Sequence, residues 1–399
     1  MTPTTAPRSP FEQELIDAAR ALIPMLKAGA AAAEREGRIA AEAVQRMQDA
    51  GLFRILQPRR HGGLELNPGV FYEVQMALAE GDMSAAWIFG VIGVHNWQLA
   101  LFDARAQHEV WGDDPHTRIS SAYIPVGRVQ HVEGGFRLSG RWSYSSGCEH
   151  CRWIFLGAMA PPPPGCAGEA EYRTFLLPQG DYRIERNWEV MGLRGTGSHD
   201  IVVNDVFVPG YRTHRTRDDS HAARPGLAVN TSPLYTLPFA QVFVRAVSSS
   251  CIGALQGALN DFLQVGSGNV SRNFLGRTAE DPNAQAAVAD TLETLDYLKL
   301  ALFRNVDHML TCAARGEAAP LEDRLLYRYQ SARVADLCAQ QVSRLFQSCG
   351  AAGVYLDRPL VRRFLDLHTA RSHVANHAAP LGRNLGGYRM GLDNRDPTV

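Results

Sequence analysis

Three side chains of this 399-residue sequence combine a reactive type with a setting that could use it: His95, Ser146 and His373. His95 stands in the otherwise apolar run from Ile88 to Leu101, so its imidazole faces either a pocket or the core. With an ordinary pKa of about 6.5, an imidazole accepts and returns protons near neutral pH. Ser146 closes a predicted strand in the run Ser145-Ser146-Gly147, where such residues make a turn and can also present a hydroxyl. His373 and His377 stand four apart and, on a helix, share a face with Asp366 and Ala370. That pair could begin a metal site, but the Glu that follows the first His of a His-Glu-x-x-His motif is replaced by Val374, and no metal is expected. Cys148-Glu-His-Cys151 is a lone Cys-x-x-Cys with no second pair and reads as two thiols.

Nucleotide cradles are missing. Neither Gly-x-Gly-x-x-Gly nor Gly-x-x-x-x-Gly-Lys-[Ser/Thr] occurs, so the sequence has no Rossmann or Walker site for NAD(P)H or a nucleoside triphosphate. A formal net charge of −1, with Lys and Arg dispersed, argues against nucleic acid or anionic lipid as partners. A hydrophobic content of 45% and a charged content of 20% suit ordinary globular cores. No window approaches the roughly 20 apolar residues of a bilayer span, and Met1 to Pro10 has no apolar segment of the kind a signal peptide carries, so no membrane association and a cytoplasmic location are expected. Seven cysteines are an odd number in a large chain, which points to reduced thiols and no disulfide.

These side chains must be positioned by three successive patterns. A helical region is expected over 1–117: Phe11, Leu15, Ala19, Leu22 and Leu26 repeat at helical spacing, and Gly51 and Gly62-Gly63 are the stops. Over 118–225 the period becomes two, with Phe136, Leu138, Gly140 and Trp142 on one strand face; further strands are predicted at Trp153 to Met159, Thr174 to Leu177 and Ile201 to Val208. Over 226–399 four long helices, Ala240 to Val265, Ala284 to Ala314, Leu321 to Ser348 and Pro359 to Asn376, read as an antiparallel bundle. The fold class is mainly α with a central β-domain.

That order resembles the acyl-CoA dehydrogenase superfamily over nearly the whole chain. Met191-Gly-Leu-Arg-Gly-Thr-Gly-Ser198 with the strand after it resembles the family's central hairpin. Gln347 to Gly353, including Gly350, with Arg362 to Asp366 resembles the Gly-rich turn and Arg-Asp helix beside the flavin. Arg272-x-Phe274 with Gln285 is similar to the segment that reaches a neighbouring subunit's flavin. Within the superfamily, Trp142-Ser-Tyr-Ser-Ser146-Gly147, Ala86-Trp87, His95 and His373 resemble the flavin-dependent monooxygenase branch, typified by the oxygenase components of two-component 4-hydroxyphenylacetate and steroid phenol hydroxylases. Many dehydrogenases carry a carboxylate base in a Tyr-Glu-Gly-Thr run, and here the corresponding stretch is Ser372-His-Val-Ala-Asn376, without one.

The resemblance implies a homotetramer that takes FMNH2 or FADH2 as a diffusible substrate from a separate NAD(P)H:flavin reductase. With O2 as co-substrate it would form a flavin C4a-hydroperoxide and hydroxylate a small aromatic substrate, phenolic or polyketide-like. A hydroxyl hydrogen-bonded at flavin N5, a fixed donor acting where charge develops, would protect that intermediate, and Ser146 is the candidate. Trp142, Ser145, Ser146, Gly147, Arg272, Phe274, Gln285 and Gly350 are then expected to bind the cofactor. Trp87, His95, Ser121 and His373 are expected to line the substrate pocket, with His95 as base or hydrogen-bond partner of a phenol and His95, Ser146 and His373 as catalytic residues. The competing expectations are an acyl-CoA dehydrogenase or oxidase, and an N- or S-oxygenating monooxygenase of the same fold.

Overall fold

The computed structural model describes residues 8–163, 165, 167–216, 223–266 and 277–396. Six helices precede the sheet. α1 (Pro10–Ala21) starts on a reciprocal cap between Ser9 and Glu12 and ends before α2 (Ile23–Glu36). The repeat from Phe11 to Leu26 is thus two helices, because Pro24 has no N–H to give the Arg20 carbonyl. α3 (Ala41–Asp49) stops at Gly51, and a short 3-10 turn stops at Gly62, both in the left-handed region as their sequence positions predict. α4 (Pro68–Gly81), α5 (Met83–Leu99) and α6 (Ala104–Trp111) follow. Every residue of α5 is buried, as expected of a helix apolar all round. It is the central rod of the molecule, touching the sheet on one side and the C-terminal helices on the other.

Seven strands form one mixed sheet: β1 (Ile119–Val132), β2 (Gly135–Ser145), β3 (Trp153–Ala160), β4 (Glu171–Pro178), β5 (Arg183–Glu185), β6 (His199–Pro209) and β7 (Thr213–His214), in the order β5-β6-β2-β1-β3-β4-β7. Among the described residues only β1 and β3 pair in parallel; β1 changes register between Ala122 and Gly127, passing from β3 to β2. The predicted alternation of β2 is present, with Phe136, Leu138 and Trp142 buried in a core separate from that of the helices. The Trp142 indole fills this core so tightly that a Cβ on Gly127 or Gly140 would lie 2.4 or 2.8 Å from it.

The C-terminal bundle consists of α7 (Phe239–Gly266), α8 (Pro282–Ala314), α9 (Leu321–Ser348), α10 (Pro359–Arg371) and α11 (Ala378–Arg389). One correction concerns α10, which ends at Arg371 instead of running to Asn376. The Asn376 side chain donates to the Ala370 carbonyl at 2.9 Å, replacing the backbone donor of a further turn. His373 and His377 therefore share no helical face; they flank a 3-10 turn over Val374–Asn376. α7 is long and apolar enough to cross a membrane, but 94% of its apolar window is buried inside the protein. Six described cysteines are all free.

Candidate active site

Ser146 is placed by a turn that only its neighbours permit. Tyr144, next to last in β2, has φ +71°, and Gly147, two residues past its end, has φ +68°. A side chain at Gly147 would suffer that φ and would also meet Ile88 and Ile92 of α5, whose carbons lie 3.1 and 3.2 Å from its Cβ position. Gly147 N–H donates to the Thr196 carbonyl at 2.9 Å, tying the turn to the loop before β6. The close approach to α5 sets the Ser146 hydroxyl beside Trp87, whose indole N–H donates to Oγ at 3.2 Å. The Trp87 ring meets His373 edge-on with centroids 5.6 Å apart. Trp87, Ser146 and His373, far apart in sequence, form one cluster.

Behind Ser146 runs a chain of hydroxyls. Ser146 Oγ lies 2.7 Å from Ser198 Oγ, which lies 2.7 Å from Thr196 Oγ1, and Thr196 donates to the Leu193 carbonyl at 2.8 Å. The Leu193 N–H donates to the Asp366 carboxylate at 2.6 Å. Asp366 is buried, and burial, with the Asp82 carboxylate nearby, pushes its pKa up to about 7. Thr196 and Ser198 are not among the residues anticipated to act. They lie some fifty positions from Ser146 in a Gly-rich segment that reads as a turn; Met191 to Ser198 had stood out only as a motif.

The two histidines have opposite hydrogen-bonding roles. His95 Nδ1 faces the Ile119 carbonyl at 2.6 Å; a carbonyl only accepts, so the proton sits on Nδ1 and Nε2 is a bare acceptor. His373 Nδ1 accepts from the Ala375 N–H at 3.1 Å, so in the neutral ring Nε2 carries the proton and is a donor. Burial pushes both down to about 4, with Arg328 adding to the effect at His373, so both are neutral at pH 7. A base held there does not keep a proton taken from a phenol of pKa about 10. The neutral His95 ring therefore presents Nε2 as a hydrogen-bond acceptor.

His95 lies eight residues after Trp87, about 12 Å along the helix axis. Its ring is boxed by Phe155 at 5.5 Å, Tyr123 at 6.1 Å and Phe243 at 6.1 Å between centroids. The Tyr123 hydroxyl donates to Gln98 Oε1, and Ser121, two residues earlier, is on the same face of β1. His95 Nε2 and Gln98 Nε2 are both buried with no hydrogen-bond partner. Two polar atoms left open in an aromatic box are the usual mark of a place for a ligand or water. Tyr123, Gln98 and Phe243 escaped the sequence reading because three separate elements supply them.

The other expected residues are dispersed. Trp142 is fully buried in the sheet core with its N–H on the Gly157 carbonyl at 2.8 Å, so its side chain is spent on packing. Ser145 Oγ is buried and without a partner. Gln285 is in the first turns of α8, donating to the Ala279 carbonyl at 3.0 Å, and Gly350, at φ +58°, follows the end of α9. Arg272 and Phe274 lie outside the described residues. A cleft of about 420 Å³ opens between α7, α8 and α9, lined by Arg245, Tyr297 and Arg333 among others. Ser146, His95 and His373 are not among its lining residues.

Helices, mixed sheet and bundle in this order define an acyl-CoA dehydrogenase fold, and the chain matches the acyl-CoA dehydrogenase N-terminal domain over residues 9–112 and the C-terminal domain over 246–378. It is 36% identical to the flavin-dependent monooxygenase oxygenase subunit HsaA of Mycobacterium tuberculosis, over 97% of this chain and 98% of that one. It is 29% identical to the FADH2-dependent resorcinol hydroxylase oxygenase component of a Rhizobium species, over 92% of each. The crystal structure of the 3-HSA hydroxylase of Rhodococcus sp. RHA1 superposes with a TM-score of 0.91 at 35% identity, covering 97% of this chain and 99% of that one. The chain belongs to the family of flavin-dependent monooxygenase oxygenase subunits built on the acyl-CoA dehydrogenase fold. It is an oxidoreductase that works with reduced flavin.

Proposed function

We propose that the two ends of α5 divide the reaction, with reduced flavin seated at Ser146 and a small phenolic substrate in the box around His95. The observation that carries this reading is His95 Nε2, an acceptor of fixed tautomer, buried and unpartnered among aromatic rings. A phenol O–H is the group that completes it, and its ring suits walls of Tyr123, Phe155 and Phe243. The relative that hydroxylates resorcinol, itself a phenol, supports the same class.

The residues fit a flavin. Ser146 Oγ retains a lone pair next to Trp87, Gly147 lets backbone approach closely, and Ser145 has an orphaned hydroxyl nearby. Reduced flavin, when bound, supplies the electrons that activate O2, so that one oxygen atom enters the product and the other leaves as water. The chain's own work is to orient and to keep dry. His95 holds the phenol oxygen and draws electron density toward the ring, Ser121 and Gln98 offer further hydrogen bonds, and His373 holds a proton at Nε2 beside Trp87. The buried flank of α5 excludes water from both ends.

Further parts of the reading rest on the relatives. A separate reductase supplies the reduced flavin, as the names oxygenase subunit and oxygenase component imply for those proteins. By resemblance, the motif Arg272-x-Phe274 with Gln285 serves the flavin of a neighbouring copy in a homotetramer, the turn that holds Gly350 belongs beside the flavin, and the enzyme is cytoplasmic. The units 1–117, 118–225 and 226–399 act together around α5, consistent with its contacts on both sides.

The test is to load the protein anaerobically with FADH2 or FMNH2 and a panel of phenols, then mix with ¹⁸O2. A hydroxylated phenol gaining a single ¹⁸O atom supports the proposal. Rapid return of oxidised flavin with hydrogen peroxide and no product from any phenol contradicts it.

A further inference from the structure

Each hydroxyl has one proton to donate, so the ends of a hydroxyl chain decide its direction. At one end a carbonyl, which can only accept, takes the Thr196 proton at 2.8 Å. Ser198 must then donate to Thr196, and Ser146 to Ser198, each across 2.7 Å. At the other end the Trp87 N–H can only donate, and it occupies one lone pair of Ser146 at 3.2 Å. Ser146 has no proton left for a ligand and one lone pair to offer. Thr196 and Ser198 are 1% and 3% exposed, so solvent does not compete to reverse the chain.

We infer that Thr196 and Ser198 are positioning residues that lock the Ser146 hydroxyl as an acceptor and so make the site select reduced over oxidised flavin. The inference rests on the reading that Ser146 meets flavin N5. Reduced flavin carries a hydrogen on N5 and donates to the free lone pair. Oxidised flavin has only a lone pair there, and two acceptors facing each other in a dry site cost the desolvation of both. A protein that receives its flavin reduced and discards it oxidised gains from this asymmetry, because the same hydroxyl that holds the incoming form weakens the hold on the spent one.

Equilibrium titration of the full-length protein with FMN and FAD, oxidised in air and reduced under anaerobic conditions, tests this. Ser198→Ala and Thr196→Val each free the Ser146 proton to turn toward the ligand. Each is expected to tighten oxidised flavin relative to reduced flavin by on the order of fivefold to tenfold, the worth of one hydrogen bond. Thr196→Ser keeps the chain and should keep the parent ratio, which a merely structural effect of altering this turn would not do. An unchanged ratio in both Ser198→Ala and Thr196→Val, or equal changes in both affinities, overturns the inference. Ser146→Ala separates the two layers. If it shifts the ratio while the other two variants do not, Ser146 is at N5 and the hydroxyl chain is not the cause. If it moves neither affinity, the placement at N5 fails and the inference falls with it.

Discussion

At the N-terminal half of α5, Trp87 meets a chain of hydroxyls in which every proton has an assigned acceptor, from the indole through Ser146, Ser198 and Thr196 to the Leu193 carbonyl. Two turns further on, the same helix presents His95 and Gln98, each with a buried nitrogen that has no partner. The first region is internally complete and reserves a single lone pair for a ligand, which suits a group that holds one atom of a cofactor in one orientation. The second is incomplete without a ligand, and an unsatisfied buried polar atom costs about 1–3 kcal/mol until something binds it. In the proposed reaction one helix thus joins a positioning device to a recognition site, and the buried packing between them fixes their distance.

The largest expected effect breaks the open end. His95→Ala should lower hydroxylated product by about 10²-fold or more, since it removes the fixed acceptor proposed to hold the phenol oxygen. Reduced-flavin affinity should stay near the parent value, measured by anaerobic titration.

Next comes the anchor of the closed end. Asp366→Ala leaves the buried Leu193 N–H without its acceptor and should cost about 1–3 kcal/mol in chemical denaturation. Asp366→Asn, which keeps an oxygen there, should lose less.

A smaller loss is expected from Gly147→Ala, about 1–2 kcal/mol, from the left-handed φ and the new contact with Ile88 and Ile92. Thermal and denaturant midpoints would measure it.

A separate effect is on acid stability. Burial holds His95, His150 and His373 at about 4 in the folded chain, below their unfolded value near 6.5. The unfolded chain takes up their protons first, so their contribution is complete above pH 6.5 and is lost as pH falls toward 4. Asp366, raised to about 7, acts in the opposite sense: the folded state keeps its proton over the interval from about 4 to 7, so stability from this group falls as pH rises. Thermal midpoints against pH should therefore drop between 6.5 and 4, and drop more steeply in Asp366→Asn, where the opposing group is gone.

Much of this arrangement was legible in the sequence where it depends on local rules. The alternation of β2, the left-handed stops at Gly51 and Gly62, and the Ser-Gly turn after Trp142 follow from periodicity and backbone sterics alone. The end of α10 was not legible, because it depends on Asn376 reaching back to the Ala370 carbonyl, and His373 gained its tautomer from that same turn. Trp142 stood out as an aromatic beside the Ser-Gly turn and proved to be core, since strand alternation points it inward. Thr196, Ser198, Tyr123 and Gln98 were invisible for a different reason: each is an ordinary residue type in its own segment, and only the packing of β1, the loop before β6 and α5 gives it a role.

The division of labour along α5 is tested most directly by running His95→Ala and Ser146→Ala side by side in stopped-flow mixing of anaerobic enzyme, reduced flavin and a phenol with O2. Two quantities are read, the interval before oxidised flavin absorbance returns and the product formed per flavin oxidised. His95→Ala is expected to keep the interval and lose the product, and Ser146→Ala to shorten the interval. The same change in both quantities for both variants would contradict it, because the two ends of the helix would then serve one function.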